Sequence, residues 1–249
     1  MIKEIEEHRS IRLFESKAVE ESLLREILTA ASRASTCGNM QNYSLVVTQD
    51  PEMIARISPL HFGQVERMNA PCVVTICADV HRFSEWCKLR DAEPRYDNFI
   101  WFLNGAIDAL MAAQNLILEA EAASLGACVL GTTLYTAEAI IELLELPQGV
   151  IPVTTVVLGY PAENPPLTDR LPLEAVVHFE KYNNYTPQDI EALWAEREAS
   201  AQTAELLEEN ALSNLALIFT QRRYTANDNL TFSKSYFELL KKQGFFNHE

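Results

Sequence analysis

The spacing of apolar positions changes several times along the chain, and each change predicts an element. Leu23, Leu24, Ile27, Leu28 and Ala31 recur at the three-and-four spacing of an amphipathic helix, predicting one over Glu20–Ala34. The same reasoning gives short helices over Met1–Glu7 and Pro51–Ile57, a helix over Ala137–Leu144 stopped by Pro147, and another over Phe232–Lys242 ending at Gly244. Short β-branched or apolar runs predict strands at Ser44–Thr48, Val73–Ala78, Ala127–Leu130 and Val153–Leu158, with a further edge piece at Ala175–Phe179. Ser35–Tyr43 is polar, contains one Gly and reads as a loop. Asn98–Ser124 is the longest helical pattern and is apolar nearly all round, interrupted by Asp108, Gln114, Asn115 and Glu119. Such a helix belongs at the centre of a molecule or in a subunit interface. Helices interleaved with short strands make the class α+β. A boundary near Asn184–Asp189 separates a body, 1–184, from a helical extension, 185–249, whose stretch from Gln188 to Asn210 holds seven acids and one Arg.

Composition narrows the function. The 249 residues are 48% apolar and 22% charged, an ordinary globular mixture, and 20 bases against 35 acids leave a net charge of −15. That charge argues against nucleic acid as a partner, since a phosphate backbone is met by clustered Lys and Arg. The most apolar stretches, 99–103 and 109–113, are too short to cross a membrane, and the opening MIKEIEEHRS lacks the bases and apolar run of a signal peptide. The expected location is the cytoplasm. Cys37, Cys72, Cys77, Cys87 and Cys128 are odd in number with no CxxC, and the five histidines show no HxxxH pair, so neither a disulfide framework nor a zinc site is expected. Eight glycines include no GxGxxG and no GxxxxGK[ST], which leaves Walker-type NTPases and the usual dinucleotide fold unsupported.

Four constellations carry candidate chemistry. His8, Arg9, Ser10 and Arg12 gather two guanidiniums, an imidazole and a hydroxyl into five residues, a donor set suited to a phosphate or equally a solvated basic turn. Thr36–Gln41 offers amide donors and acceptors to a heterocycle edge, or is simply a polar loop. Asn164–Pro172 is a proline-stiffened segment that fixes Arg170 after a strand, either toward an anion or on the surface. Gly131–Thr132 follows a buried strand, where backbone N–H groups can approach a flat ring or merely make a turn.

Taken together in order, HRSIRLF, the STCGNMQ loop, the Ala113–Leu118 helix segment, Leu125–Gly131 and Leu158–Pro161 resemble the nitroreductase superfamily. The similarity is closer to its oxygen-insensitive, NADPH-type nitroreductases and flavin reductases. It spans roughly Glu4 to Tyr182 and continues more weakly through Phe232 and Gln243–Phe245. The resemblance implies a three-layer fold, a central mixed and mostly antiparallel sheet between helices, and a homodimer with FMN in two interfacial clefts. It assigns His8, Arg9, Ser10 and Arg12 to the FMN phosphate and ribityl chain. Thr36, Cys37, Asn39 and Gln41 fall on a loop reaching the flavin, typically from the other subunit. Gln64 matches a side-chain contact to the flavin, Leu130, Gly131 and Thr132 the segment passing the ring, and Arg170 a distal phosphate ligand. The extension, 185–249, is expected to pack on the partner.

The implied activity is reduction of nitroaromatics, quinones or flavins at the expense of NADPH or NADH, by ping-pong hydride transfer. No side chain is catalytic, because flavin N5 carries the hydride; the protein binds and tunes the cofactor. Arg222 and Arg223 are candidates for the nucleotide phosphate, or are ordinary bases at a helix C-terminus. A non-catalytic flavin sensor or carrier is the alternative on the same fold. Three positions depart from the family pattern: Thr168 where relatives often have Lys, Cys37 for a small hydroxyl residue, and Thr132 for a second Gly. The first removes one phosphate charge, and all three bear on FMN retention and substrate choice.

Overall fold

The computed structural model describes residues 1–247. The chain forms two compact units, one of Met1–Pro166 with the residues from Lys234 on, the other Leu167–Ser233. The boundary expected at residue 184 falls inside the second unit, and the last helix returns the chain to the first.

The first unit is built on one sheet. Strands β1 (Tyr43–Thr48), β2 (Cys72–Asp79), β3 (Gly126–Leu130) and β4 (Val150–Gly159) lie in the order β1-β2-β4-β3. All three strand pairings are antiparallel. The mixed character expected of the sheet reduces to one isolated parallel bridge, Ser10 to Ala127, on the outer edge of β3.

Helices cover both faces. On one face α1 (Glu21–Ala31) packs its Leu24 and Ile27, together with the inward residues of the 24-residue helix Phe99–Ala122, against Val74, Ile76, Val156 and Leu158. Residues of opposite parity, Val73, Val157, Cys128 and Leu130, point to the other face, as the two-residue period of a strand dictates. They meet Ile57 of α2 (Pro51–Ile57), Val65, and, at the margin, Leu143 of a later helix. The start of α2 follows from chemistry: Pro51 occupies the first turn, and the Asp50 carboxylate accepts the Met53 N–H at 2.9 Å. Next in order are α3 (His81–Lys88), α4 (Phe99–Ala122), begun by the Asn98 side chain, and α5 (Ala137–Leu143).

The second unit holds α6 (Pro187–Glu198) and α7 (Ala201–Asn210), then a short helix, a π-turn over Phe219–Arg223, and the beginning of α8 (Ala226–Lys242). The acidic stretch expected as one helical region is split because Ser200 caps α7, accepting the Thr203 N–H at 3.1 Å. Thr186 and Asp189 form a reciprocal capping box that starts α6. The edge strand expected at Ala175–Phe179 does not form. Leu173–Ala175 makes a 3₁₀ turn instead, and the exposed side chains of Val176 and Phe179 face no neighbouring strand. Among the described residues no helix is long and apolar enough to cross a membrane, and no cluster of His, Cys, Asp or Glu could hold a metal.

Candidate functional site

The outer edge of β3 organises the candidate site of the first unit. Residues 8–14 run beside it in extended form: the Ile11 N–H donates to the Ala127 carbonyl at 2.9 Å, and Phe14 bridges Pro161. Gly126 makes this approach possible, because a Cβ there would lie 2.6 Å from Ile11 Cγ1. Alternation then buries Ile11 and turns Arg12 outward. The Arg12 guanidinium makes no hydrogen bond or ion pair among the described residues, while its backbone N–H is held by the Glu163 carboxylate. It is a free cation on an anchored backbone, and its charge opposes the rise that burial imposes on the neighbouring Cys128 thiol.

The other members of the motif are differently employed. Arg9 is committed to the chain itself, donating to the Glu7 carbonyl (3.0 Å), Asn164 Oδ1 (2.8 Å) and the Pro165 carbonyl (3.1 Å). His8 Nδ1 lies 2.7 Å from Glu121 Oε1 at the end of α4. The Glu121 carboxyl is raised, burial outweighing the opposing bond from His8. Ser10 is the residue bridged to β3.

At the end of β3 the chain turns through Leu130, Gly131 and Thr132. Leu130 is buried, whereas Gly131 is exposed, and a Cβ built on it would find no atom within 4 Å. The side on which a side chain would stand is therefore open. Thr132 is pinned from behind: its Oγ1 lies 2.8 Å from Nδ1 of His61, which is fully buried. His61 Nε2 has no partner among the described residues, so the proton sits best on Nδ1, where Thr132 accepts it; an orphaned acceptor costs less than an orphaned N–H. Burial alone holds this imidazole down at about 4. Three residues on, half-buried Gln64 opens a single-turn helix after the left-handed Phe62 and Gly63. The structure thus joins Gln64 to Leu130–Thr132 through an imidazole that sequence reasoning passed over.

The polar loop is fixed elsewhere. Gly38, Asn39 and Gln41 all adopt positive φ, near 55°. Its two ends are clamped by one carboxylate, buried Asp108 of α4, which accepts the Cys37 N–H at 2.9 Å and the Asn42 N–H at 3.1 Å. Thr36, Cys37, Asn39 and Gln41 lie on this loop, and no hydrogen bond joins it to residues 8–12 or 130–132 among the described residues. The sequence did mark Asp108, but only as a polar interruption of an apolar helix.

Arg170, Arg222 and Arg223 belong to the second unit. Arg170 is exposed and folds onto its own loop, donating to Thr168 Oγ1 (2.7 Å) and the Asp169 carbonyl (2.9 Å). The Thr168 hydroxyl, at the position where relatives often have Lys, is therefore a partner of Arg170. The neighbouring Asp169 pairs with Arg197, which holds its carboxyl below the usual range. Arg222 and Arg223 sit exposed on the π-turn, Arg223 5.6 Å from the centre of the Phe219 ring.

These donors suit one singly phosphorylated, flat cofactor. An outward guanidinium stands near one end of a strand edge and an exposed glycine at the other. The fold and this site define a flavin-binding class, and comparison with known proteins agrees. The profile of the Nitroreductase family matches residues 5–160, and the chain belongs to that family. It is 35% identical over 186 residues to an FMN reductase [NAD(P)H] of Bacillus subtilis, covering 74% of this chain and 75% of that one. It is also 35% identical to an oxygen-insensitive NADPH nitroreductase of Salmonella typhimurium, over 73% of each chain. A crystal structure from Bacteroides fragilis, of a protein provisionally called an oxidoreductase, superposes with a TM-score of 0.96. Its sequence is 44% identical, and the match covers 98% of this chain and 100% of that one.

Proposed function

We propose that the protein is an FMN-dependent oxidoreductase that takes electrons from NADPH or NADH and delivers them to nitroaromatics, quinones or flavins. Family membership and the activities of the relatives support this reading. The observation that carries it in this chain is the Arg12 guanidinium, without a hydrogen bond or ion pair among the described residues, on the same strand edge as exposed Gly131.

Bound FMN supplies the hydride-transferring centre. The protein's own residues do the rest. Arg12 would neutralise the phosphate, and Ser10 and the backbone of residues 8–12 would line the ribityl chain. Gln64 and the Leu130–Thr132 segment would hold the ring, where N–H groups would favour negative charge on it. His8 and Arg9 act one step back, since their side chains hold the motif to Glu121 and to Asn164. In this reading the redox chemistry belongs to the cofactor, and no side chain need act as nucleophile or general base.

The working unit in this reading is a homodimer. Along α4 the large apolar side chains Ile100, Leu103, Ile107, Leu110 and Met111 are exposed on a helix whose other face is core. A second copy on that stripe removes this surface from water. The Thr36–Gln41 loop then serves the partner's flavin, and the extension over 185–249 packs on the partner. Five unpaired cysteines agree with a cytoplasmic setting.

A visible spectrum of the purified protein tests the reading. Flavin bands, FMN released on denaturation and oxidation of NADPH or NADH are expected. A colourless protein that refuses added FMN overturns the assignment, and bound FMN without turnover of either nicotinamide turns it into a carrier.

A further inference from the structure

One peptide of the polar loop is gripped at both of its polar groups by opposite charges. The N–H of the unit that joins Gln41 to Asn42 donates to buried Asp108 at 3.1 Å, and its carbonyl, that of Gln41, accepts from Nη2 of Arg82. A trans peptide points these two groups in opposite directions, so its dipole lies between a carboxylate at the positive end and a guanidinium at the negative end. The same carbonyl also takes the Tyr43 N–H at 2.8 Å. The plane of this peptide fixes ψ of Gln41, whose φ of 55° is a left-handed value that a residue other than Gly keeps only when its surroundings impose it.

Arg82 is itself aimed by the fold. It lies in the first turn of α3, where its backbone N–H donates to Asp79 Oδ1 at 3.2 Å. The other oxygen of Asp79, a residue buried at the end of β2, stands 3.7 Å from the guanidinium and accepts the Ser44 hydroxyl. From this anchor the two terminal nitrogens spread over the start of β1, reaching the Tyr43 carbonyl at 3.3 and 3.4 Å as well as Gln41. A planar fork spans these acceptors at once, as a single ammonium does not. The side chain is more than half exposed, so it fills no part of the core. What it holds is the loop. Gln41 Nε2 in turn donates to the Asn39 carbonyl at 3.3 Å, so the path from Arg82 to Asn39 runs through the Gln41 side chain.

On the reading that places Asn39 and Gln41 at a flavin, we propose that Arg82 is a positioning residue for that cofactor. Together with Asp108 it sets the Gln41–Asn42 peptide before FMN arrives, and the amides of Gln41 and Asn39 follow from that peptide. A loop already in its binding form spares the complex the cost of ordering it. Arg82 acts here through Gln41, and its charge does not serve the phosphate.

The test compares wild-type protein, Arg82→Met, Gln41→Ala and the double variant, each titrated with FMN by fluorescence. Arg82→Met is expected to weaken FMN binding about 3- to 10-fold alone, and by less than about 2-fold when residue 41 is already Ala, the non-additivity of coupled residues. The visible bands of bound FMN should shift in the same direction in the two single variants, and the double variant should show the spectrum of Gln41→Ala. A residue that merely supports the fold leaves the spectrum of the bound flavin unmoved. Equal losses of affinity in the two backgrounds overturn the proposal, since a charge acting directly on FMN does not depend on residue 41. Unchanged FMN affinity and spectrum in Arg82→Met overturn it as well. If Arg82→Met fails to fold, Arg82→Gln, which keeps a donor but loses the fork, carries the same comparison. Wild-type protein that binds no FMN defeats the functional reading itself, and Gln41→Ala protein that binds FMN as wild type does removes the loop from the site and the proposal with it; each result is distinct from a failure of the Arg82 comparison.

Discussion

His61 should make this fold acid-sensitive in a measurable way. Its imidazole is fully buried, with one nitrogen bound to Thr132 and the other without a partner. Burial lowers it from 6.5 to about 4. Between those values the unfolded chain binds a proton that the folded chain refuses, so stability falls as pH falls. The contribution is intact above pH 6.5, declines through the window, and is gone once the pH is below about 4. Each pH unit of difference is about 1.4 kcal/mol, which makes the full effect about 3 kcal/mol and the loss at pH 4.5 about 2.5 kcal/mol. Against a typical stability of about 5–15 kcal/mol that is a large share. Urea unfolding of FMN-saturated protein at pH 7.5 and pH 4.5, for wild type and His61→Asn, isolates the effect. Carboxylates titrate in both proteins and cancel in the comparison. The variant should start less stable at pH 7.5, having lost packing, yet lose about 2.5 kcal/mol less on acidification. Parallel pH profiles for the two proteins would show that His61 is protonated freely in the fold, and the reasoning would fail.

Arg12→Ala should weaken FMN binding about 10- to 150-fold, the worth of a charge-assisted phosphate contact, whereas Arg197→Ala, which breaks only the pair with Asp169, should leave it within about 2-fold. Fluorescence titration with FMN decides, and equal affinities place the phosphate elsewhere. Leu110→Glu on the exposed stripe of α4 should shift sedimentation from dimer to monomer and reduce FMN retention; an unchanged dimer assigns the interface to another face. Asp108→Ala should cost about 1–3 kcal/mol in urea unfolding, because the buried Asn42 N–H is left unpaired. A neutral outcome would mean that water replaces the carboxylate.

Elements with a repeating pattern were legible in the sequence. α2 runs over the expected Pro51–Ile57, and α4 departs from its expected bounds only at the ends, because caps and periodicity are local. α3 went unseen: Arg82, Ser84 and Glu85 blur its apolar positions, and only Cys87 is buried. The strand expected at Ala175–Phe179 shows the opposite failing, since β-branched residues make a strand only beside a partner edge. At the site, the motif of residues 8–12 announces its charges but not their partners. That Arg9 is bonded within the chain while Arg12 is not depends on Asn164, Pro165 and Glu163, more than 150 residues away. The His61–Thr132 bond, 71 residues apart, has no local signature at all.

The placement of Asp108 explains how a loop and a surface on opposite sides of one helix can act together. Its carboxylate faces inward and fixes both ends of the 37–42 loop, three of whose residues sit in left-handed conformations that the chain would not hold unaided. Ile107, Leu110 and Met111, on the same turn of α4, are 55%, 51% and 43% exposed. A helix turn is too stiff to reposition one side without the other. If a second copy sits on that stripe, it sets the position of the loop, and a loop engaged by a ligand in turn favours the helix position that the copy requires. If Asn39 and Gln41 reach the flavin of the partner, FMN binding and dimerisation must stabilise one another by the same amount, as linkage demands. The apolar surface left bare on α4 and the carboxylate buried behind it are then two halves of one device.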